Sequence, residues 1–195
     1  PEYIKLLMTA ILKMFFFGGY RPGELFGLKF RDVNADIRHT LDFDDEIAID
    51  IRQTVYYTTG GWIESDGKTE ESLNRDWIAK GAIVHLARYI QYMERNLCTY
   101  NDDDFIFTNP TTNSIYCPET IRRHFNDYIK QAGLKHIAIK DLRHSCGTFL
   151  VAIGFSLEEV KDKLRHTKLQ TTEKYYATFY EKTRRERAKE MDKYA

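Results

Sequence analysis

The run 3-YIKLLMTAILKMFFF-17 is apolar nearly throughout and closes on Gly18-Gly19. A helix of that composition has too little polar surface to face water, so the rest of the chain must wrap it. It is not a membrane span, because the apolar part of residues 6–19 is too short and carries Lys13. Pro1–Leu7 also lacks the basic start of a secretory signal. A chain of 195 residues, 43% hydrophobic and 14% aromatic, suffices for one domain with a sizeable core.

After that helix the pattern changes twice. Pro22 suits the first turn of a second, short helix, with Glu24 at its positive end and Leu25 and Leu28 turned inward. From Glu46 the period becomes two, with Ile47, Ile49 and Ile51 alternating with Ala48, Asp50 and Arg52 as in a strand. Residues 54–59 extend it, Gly60-Gly61 turns it, Trp62-Ile63 starts a partner, and a third short strand is predicted near Trp77-Ile78. Beyond Lys80 the spacing is helical over 81–96, from Pro118 to about Gly133, and from about Asp141 to Gly154. The fragment 105-FIF-107 reads as a short buried piece. Ser156 caps a further helix with Glu158 and Glu159 in its first turn, a Thr-rich turn follows, and 180–195 is a charged helix. This order predicts an α+β domain dominated by helices, with one small three-stranded antiparallel sheet.

The formal net charge is zero, yet the charge is unevenly placed. Residues 32–50 hold seven acids and one arginine, whereas 121–143 hold six Lys/Arg and two acids. A polyanion could meet one basic face, or the charge could simply be solvated. Cys98, Cys117 and Cys146 are odd in number, widely spaced and without a CxxC pair. Neither a disulfide framework nor a zinc site is suggested, and a reducing, cytoplasmic setting fits.

The cations of 139-IKDLRHSCGTFLVAIG-154 stand in front of an apolar helix. Lys140 and Arg143, three apart, share a face if the helix has begun, and an arginine fork suits two phosphate oxygens. Cations at a helix start oppose its dipole unless an anion lies between them, so an anionic ligand competes here with an ordinary surface cation pair. Arg21 sits at a similar anion-friendly turn, in 18-GGYRPGEL-25. His166 precedes Tyr175 by nine residues in 166-HTKLQTTEKY-175.

Taken together, 21-RPGEL-25, 68-KTEES-72, 140-KDLRH-144 and 166-HTKLQTTEKY-175 resemble, in order and separation, the tyrosine recombinase (phage integrase) family. The resemblance covers nearly the whole chain and implies that 1–195 is a catalytic domain, with the family's N-terminal core-binding domain lying outside it. It implies a site-specific recombinase of a phage or mobile element that cleaves and rejoins double-stranded DNA through a 3′-phosphotyrosyl link, needing no metal or cofactor. In that scheme Arg21 and Arg143 clamp the scissile phosphate, His166 hydrogen-bonds it, Lys68 protonates the leaving 5′ oxygen and Tyr175 is the nucleophile. Because a phenol ordinarily titrates near pH 10, the surrounding cations must favour its ionised form.

Two positions depart from the family pattern. Lys140 stands where a histidine is usual; it can donate to a phosphate oxygen but, while charged, cannot accept the tyrosine's proton. Arg165 replaces a glycine, tightening or obstructing the turn before His166. Tyr176 is the rival nucleophile, disfavoured by the spacing; His144 reads as structural, and His85, His124 and His136 match no role. Further protomers in a synapse, through 180–195, and accessory DNA-bending proteins are the other partners implied. The competing readings are a type IB topoisomerase and a DNA-binding module without catalysis.

Overall fold

The structure, a computed structural model, describes residues 1–44, 46–65 and 74–191, with 190 and 191 described by their backbone. Helix α1 (Glu2–Gly18) is the apolar run anticipated from the sequence, with Leu7, Met8, Ile11, Met14 and Phe15 fully buried. It stops because Gly19 adopts the left-handed conformation (φ 58°), its N–H returning to Phe15 O at 3.0 Å. Helix α2 (Pro22–Phe26) follows at once, with Pro22 at its first position, where a missing N–H costs nothing.

Among the described residues four strands come next: β1 (Ala48–Ile51), β2 (Val55–Thr58), β3 (Gly61–Glu64) and β4 (Asn74–Trp77). They pair as two antiparallel ladders, β1 with β4 and β2 with β3, where the sequence pointed to one three-stranded sheet. The chain breaks between β1 and β2 because Gln53 turns inward, its amide donating to Gly27 O and, at 2.7 Å, to the buried Asp32 carboxylate. Four strands in small antiparallel ladders under a helical majority keep the expected class.

Helix α3 (Lys80–Asn96) packs along α1, and α4 (Pro118–Gln131) closes the same core over Ile106 and Phe107. Helix α5 (Asp141–Ile153) lies against α1 from another side. Helix α6 (Leu157–Lys163) is opened by Ser156, whose Oγ accepts the Glu159 N–H while Glu159 accepts the Ser156 N–H. Helix α7 (Leu169–Met191) begins earlier than its sequence suggests. The threonines read as a turn are helical, because Thr172 and Tyr176 both bury, and packing overrides the modest helix propensity of β-branched residues. Among the described residues no helix is long and apolar enough to cross a membrane.

The buried residues form two clusters. The larger surrounds α1; the smaller gathers Cys146, Leu150, Val151, Val160, Leu164 and Tyr176 from α5, α6 and α7. Helix α5 is the wall they share. Its Gly147 allows α7 to approach closely, since a Cβ there would stand 2.5 Å from Tyr176 Oη. Gly147→Ala gains up to about 1 kcal/mol of helix propensity but overpacks this contact by about 1–3 kcal/mol. Urea unfolding is therefore expected to show net destabilisation, relieved when Tyr176 is also reduced to leucine.

Candidate active site

The site forms at the seam between the two clusters and starts from the end of α6. There the Arg165 N–H bonds Asp162 O at 2.9 Å and the His166 N–H bonds Lys161 O at 3.0 Å, the paired bonds of a Schellman turn. Such a turn needs a left-handed residue, and Arg165 supplies it with φ 55°. A side chain in that conformation costs about 1–2 kcal/mol relative to an ordinary one. The turn also leaves the carbonyls of residues 163, 164 and 165 without helical partners.

Three arginines satisfy those carbonyls in succession. Arg165 Nη1 donates to Lys163 O at 2.8 Å, Arg143 Nη2 to Leu164 O, and Arg21 Nη2 to Arg165 O at 3.1 Å. The C-terminus of α1 is served by the same groups, with Gly19 O accepting from both Arg143 and Arg165. Cations at the negative ends of two helices are favourably placed. Residues more than 120 apart in the chain are thus tied to one turn.

Glu24 is the carboxylate among them. It accepts the Arg21 N–H at 2.8 Å, pairs with Arg21 Nη1 at 2.6 Å and Arg165 Nη2 at 3.1 Å, and lies 3.8 Å from Arg143 Nη1. Burial pushes its carboxyl up, but Arg165 and the bonds from Arg21 outweigh burial and hold it below its ordinary value. Arg143 is mostly buried; burial and the neighbouring Arg21 lower its pKa to about 10, leaving it charged at neutral pH. The Arg21 side chain, by contrast, is 47% exposed. Three guanidiniums against one carboxylate leave positive charge available to an outside anion.

His166 completes this edge. Its Nδ1 lies 2.9 Å from the hydroxyl of the buried Thr172. Burial, then Arg143 and Arg21, lower its pKa to about 4, so the ring is neutral near pH 7. If the Thr172 hydroxyl donates to Nδ1, the proton rests on Nε2, leaving that nitrogen as a donor.

The two tyrosines separate cleanly. Tyr176 is 2% exposed, its Oη 3.3 Å from His144 Nδ1, and burial pushes its phenol up to about 12 despite the opposing pull of Arg143. Tyr175, on the adjacent face of α7, is 55% exposed, with its ring centroid 4.9 Å from that of His144. His144 therefore braces both tyrosines from α5. Lys140, the residue before α5, is exposed; its carbonyl accepts the Arg143 N–H at 3.2 Å, but among the described residues its side chain makes no hydrogen bond to the arginine cluster. Lys68 lies outside the described residues, between β3 and β4.

A second network steadies the cluster from below. Lys163 Nζ reaches Asp76 Oδ1 and Trp77 O, each at 2.6 Å, and Asp76 accepts the buried Tyr20 hydroxyl at 2.8 Å. It ties β4 to the end of α6. Glu24 was legible only as an acid at a helix start, its spacing of three from Arg21 being the available signal. No pattern in the sequence pointed to Thr172 or to the pair Asp76–Lys163, whose members lie 87 residues apart.

Known proteins share this architecture. Over 192 residues the chain is 24% identical to the ICEBs1 integrase of Bacillus subtilis, covering 96% of this chain and 49% of that protein. It is 29% identical over 170 residues to the tyrosine recombinase XerC of Natranaerobius thermophilus, covering 85% and 49%. The chain thus spans about half the length of these relatives. Among solved structures, the Tn1549 transposon integrase in complex with transposon right end DNA superposes with a TM-score of 0.67 at 16% identity, over 96% of this chain and 60% of that one. The XerH recombinase bound to difH substrate gives 0.66 at 20%, over 90% and 44%. At these identities the likeness is one of fold. The Phage integrase family model matches residues 2–182, and the chain belongs to that family.

Proposed function

We propose that this chain is the catalytic domain of a site-specific recombinase that cleaves and rejoins double-stranded DNA through a 3′-phosphotyrosyl intermediate. The observation that carries the reading is the convergence of Arg21, Arg143 and His166 on one turn, with the exposed phenol of Tyr175 against His144, the neighbour of Arg143 on α5. Arg21 and Arg143 take the two non-bridging oxygens of a phosphate and stabilise the charge that grows on them as phosphorus becomes pentacoordinate. His166 donates from Nε2, and Lys140, at the exposed rim, adds a further donor. Tyr175, exposed, gives its phenolic proton to solvent and attacks phosphorus as the phenolate, the bond to the 5′ oxygen breaks, and Lys68 protonates the departing oxygen. Attack by that 5′-hydroxyl, or by one from a second duplex, reverses the step and reseals the strand. The covalent link conserves the phosphodiester energy, so no nucleotide is consumed.

The exposure of Tyr175 and the burial of Tyr176 support the assignment that the nine-residue spacing suggests. The partners proposed are double-stranded DNA, further protomers in a synapse through 180–195, and accessory DNA-bending proteins. The relatives' greater length supports a core-binding domain outside residues 1–195.

A nicked suicide substrate, run on a denaturing gel, tests the reaction. Wild type is expected to form a covalent protein–DNA band, Tyr175→Phe none, and Tyr176→Phe a band with a less stable fold. Absence of the band on DNA the protein binds, with the full-length chain as well, would leave only a binding module. Loss of one phosphate-clamping arginine is expected to slow cleavage by about 100-fold or more.

His166 carries a pH signature. Its folded pKa, about 4, lies below the ordinary 6.5 or so of an unfolded histidine. Between those values the unfolded chain takes up a proton that the folded chain refuses, so stability falls as pH drops through the window. The stability gap between wild type and His166→Gln should narrow from pH 7 to pH 5 in urea titrations. A bound phosphodiester should raise the His166 titration in NMR, since the anion offsets the arginine repulsion.

A further inference from the structure

We infer that Arg165 is a positioning residue for the phosphate clamp: its buried guanidinium holds one oxygen of Glu24 and thereby keeps Arg143 from being drawn onto that carboxylate and away from the anion. The inference rests on the recombinase reading for what the clamp binds. Arg165 occupies a left-handed turn position where glycine would serve without strain, so closing the turn does not account for an arginine there. Its side chain is only 4% exposed, and each of its nitrogens is engaged internally. Nε meets Glu24 Oε2 at 3.2 Å, Nη1 meets Lys163 O at 2.8 Å, and Nη2 meets Gly19 O at 2.9 Å and Glu24 Oε2 at 3.1 Å. The guanidinium is thus turned to the protein and away from a ligand.

What those bonds accomplish follows from the geometry of Glu24. One carboxylate oxygen is held by Arg165, and the other by the Arg21 guanidinium. Arg143 is left at 3.8 Å from Glu24, beyond hydrogen-bond reach, and bonds Gly19 O and Leu164 O instead. Removal of Arg165 deprives a buried carboxylate of its inner cation, and the nearest guanidinium not already bonded to it is that of Arg143. Arg143 would be drawn inward, away from the seam where a phosphate must sit. The Arg165 carbonyl also anchors Arg21 directly.

The test uses single-turnover cleavage of the nicked substrate by wild type, Arg165→Gly, Arg165→Lys and the double variant Glu24→Gln/Arg165→Gly. Arg165→Gly is expected to bind DNA within about threefold of wild type, because phosphate contacts elsewhere dominate affinity. It is expected to cleave about 10–100-fold more slowly, as when an outer partner of a reacting group is lost. Arg165→Lys, which keeps the charge and folds with less disturbance, should recover part of the rate. The double variant should recover at least about tenfold over Arg165→Gly, because a neutral amide at position 24 no longer draws the clamp inward. A purely structural role gives no such rescue. Wild-type cleavage by Arg165→Gly, or no gain on neutralising Glu24, overturns the inference.

A DNA-free measurement separates this outcome from failure of the recombinase reading. In a crystal structure of DNA-free Arg165→Gly, the Arg143 guanidinium should close from 3.8 Å to within hydrogen-bond distance of Glu24 and leave Leu164 O, and in Arg165→Lys it should keep its wild-type place. An unmoved Arg143 in Arg165→Gly overturns the inference whether or not the wild type forms a covalent adduct.

Discussion

One carboxylate, Glu24, and the unpaired carbonyls at two helix ends hold three guanidiniums together, and the rest of the site depends on that balance. Like charges so close would separate without it. The C-termini of α1 and α6 supply the remaining compensation, each presenting carbonyls that its own helix cannot satisfy. A buried ion pair that loses one partner is destabilised on the order of 3–5 kcal/mol. The cluster is thus both a structural joint between helices and a reserve of positive charge facing solvent through Arg21.

The location of the joint matters as much as its composition. It lies where the large core around α1 meets the small core around Tyr176, with α5 belonging to both. Arg143 is carried on that shared helix, and His144 beside it touches Tyr175 and Tyr176 of α7. A shift of α7 against α5 would move the exposed phenol relative to the arginines. Gly147 is therefore a packing residue with a consequence for the site, since it sets how closely α7 approaches. The tail of α7 is fastened at its far end too, where Arg187 donates to Ala152 O at 2.9 Å.

Much of the fold was legible residue by residue. The apolar run before Gly18-Gly19 ends in a left-handed glycine, Ser156 forms its capping box, and Ile47, Ile49 and Ile51 bury one face of a strand register. These signals are local, so a window of a few residues contains the physics. Two readings failed for the complementary reason. The threonines before Tyr175 join a helix because Thr172 packs under His166, and the strand predicted to run on past Arg52 breaks because Gln53 finds buried partners on another segment.

The sequence alone determined the residue types, their order and the nine-residue spacing between His166 and Tyr175, because a family resemblance is written in identities and separations. It also flagged Arg165 as a departure, without revealing which way the side chain would turn. Only the tertiary structure decided that Arg165 folds inward onto Glu24, that Tyr176 is buried while Tyr175 is exposed, and that three arginines meet on three successive carbonyls. Those outcomes depend on charges and carbonyls brought together from distant parts of the chain. Their energies exist only once the two cores have closed around the seam.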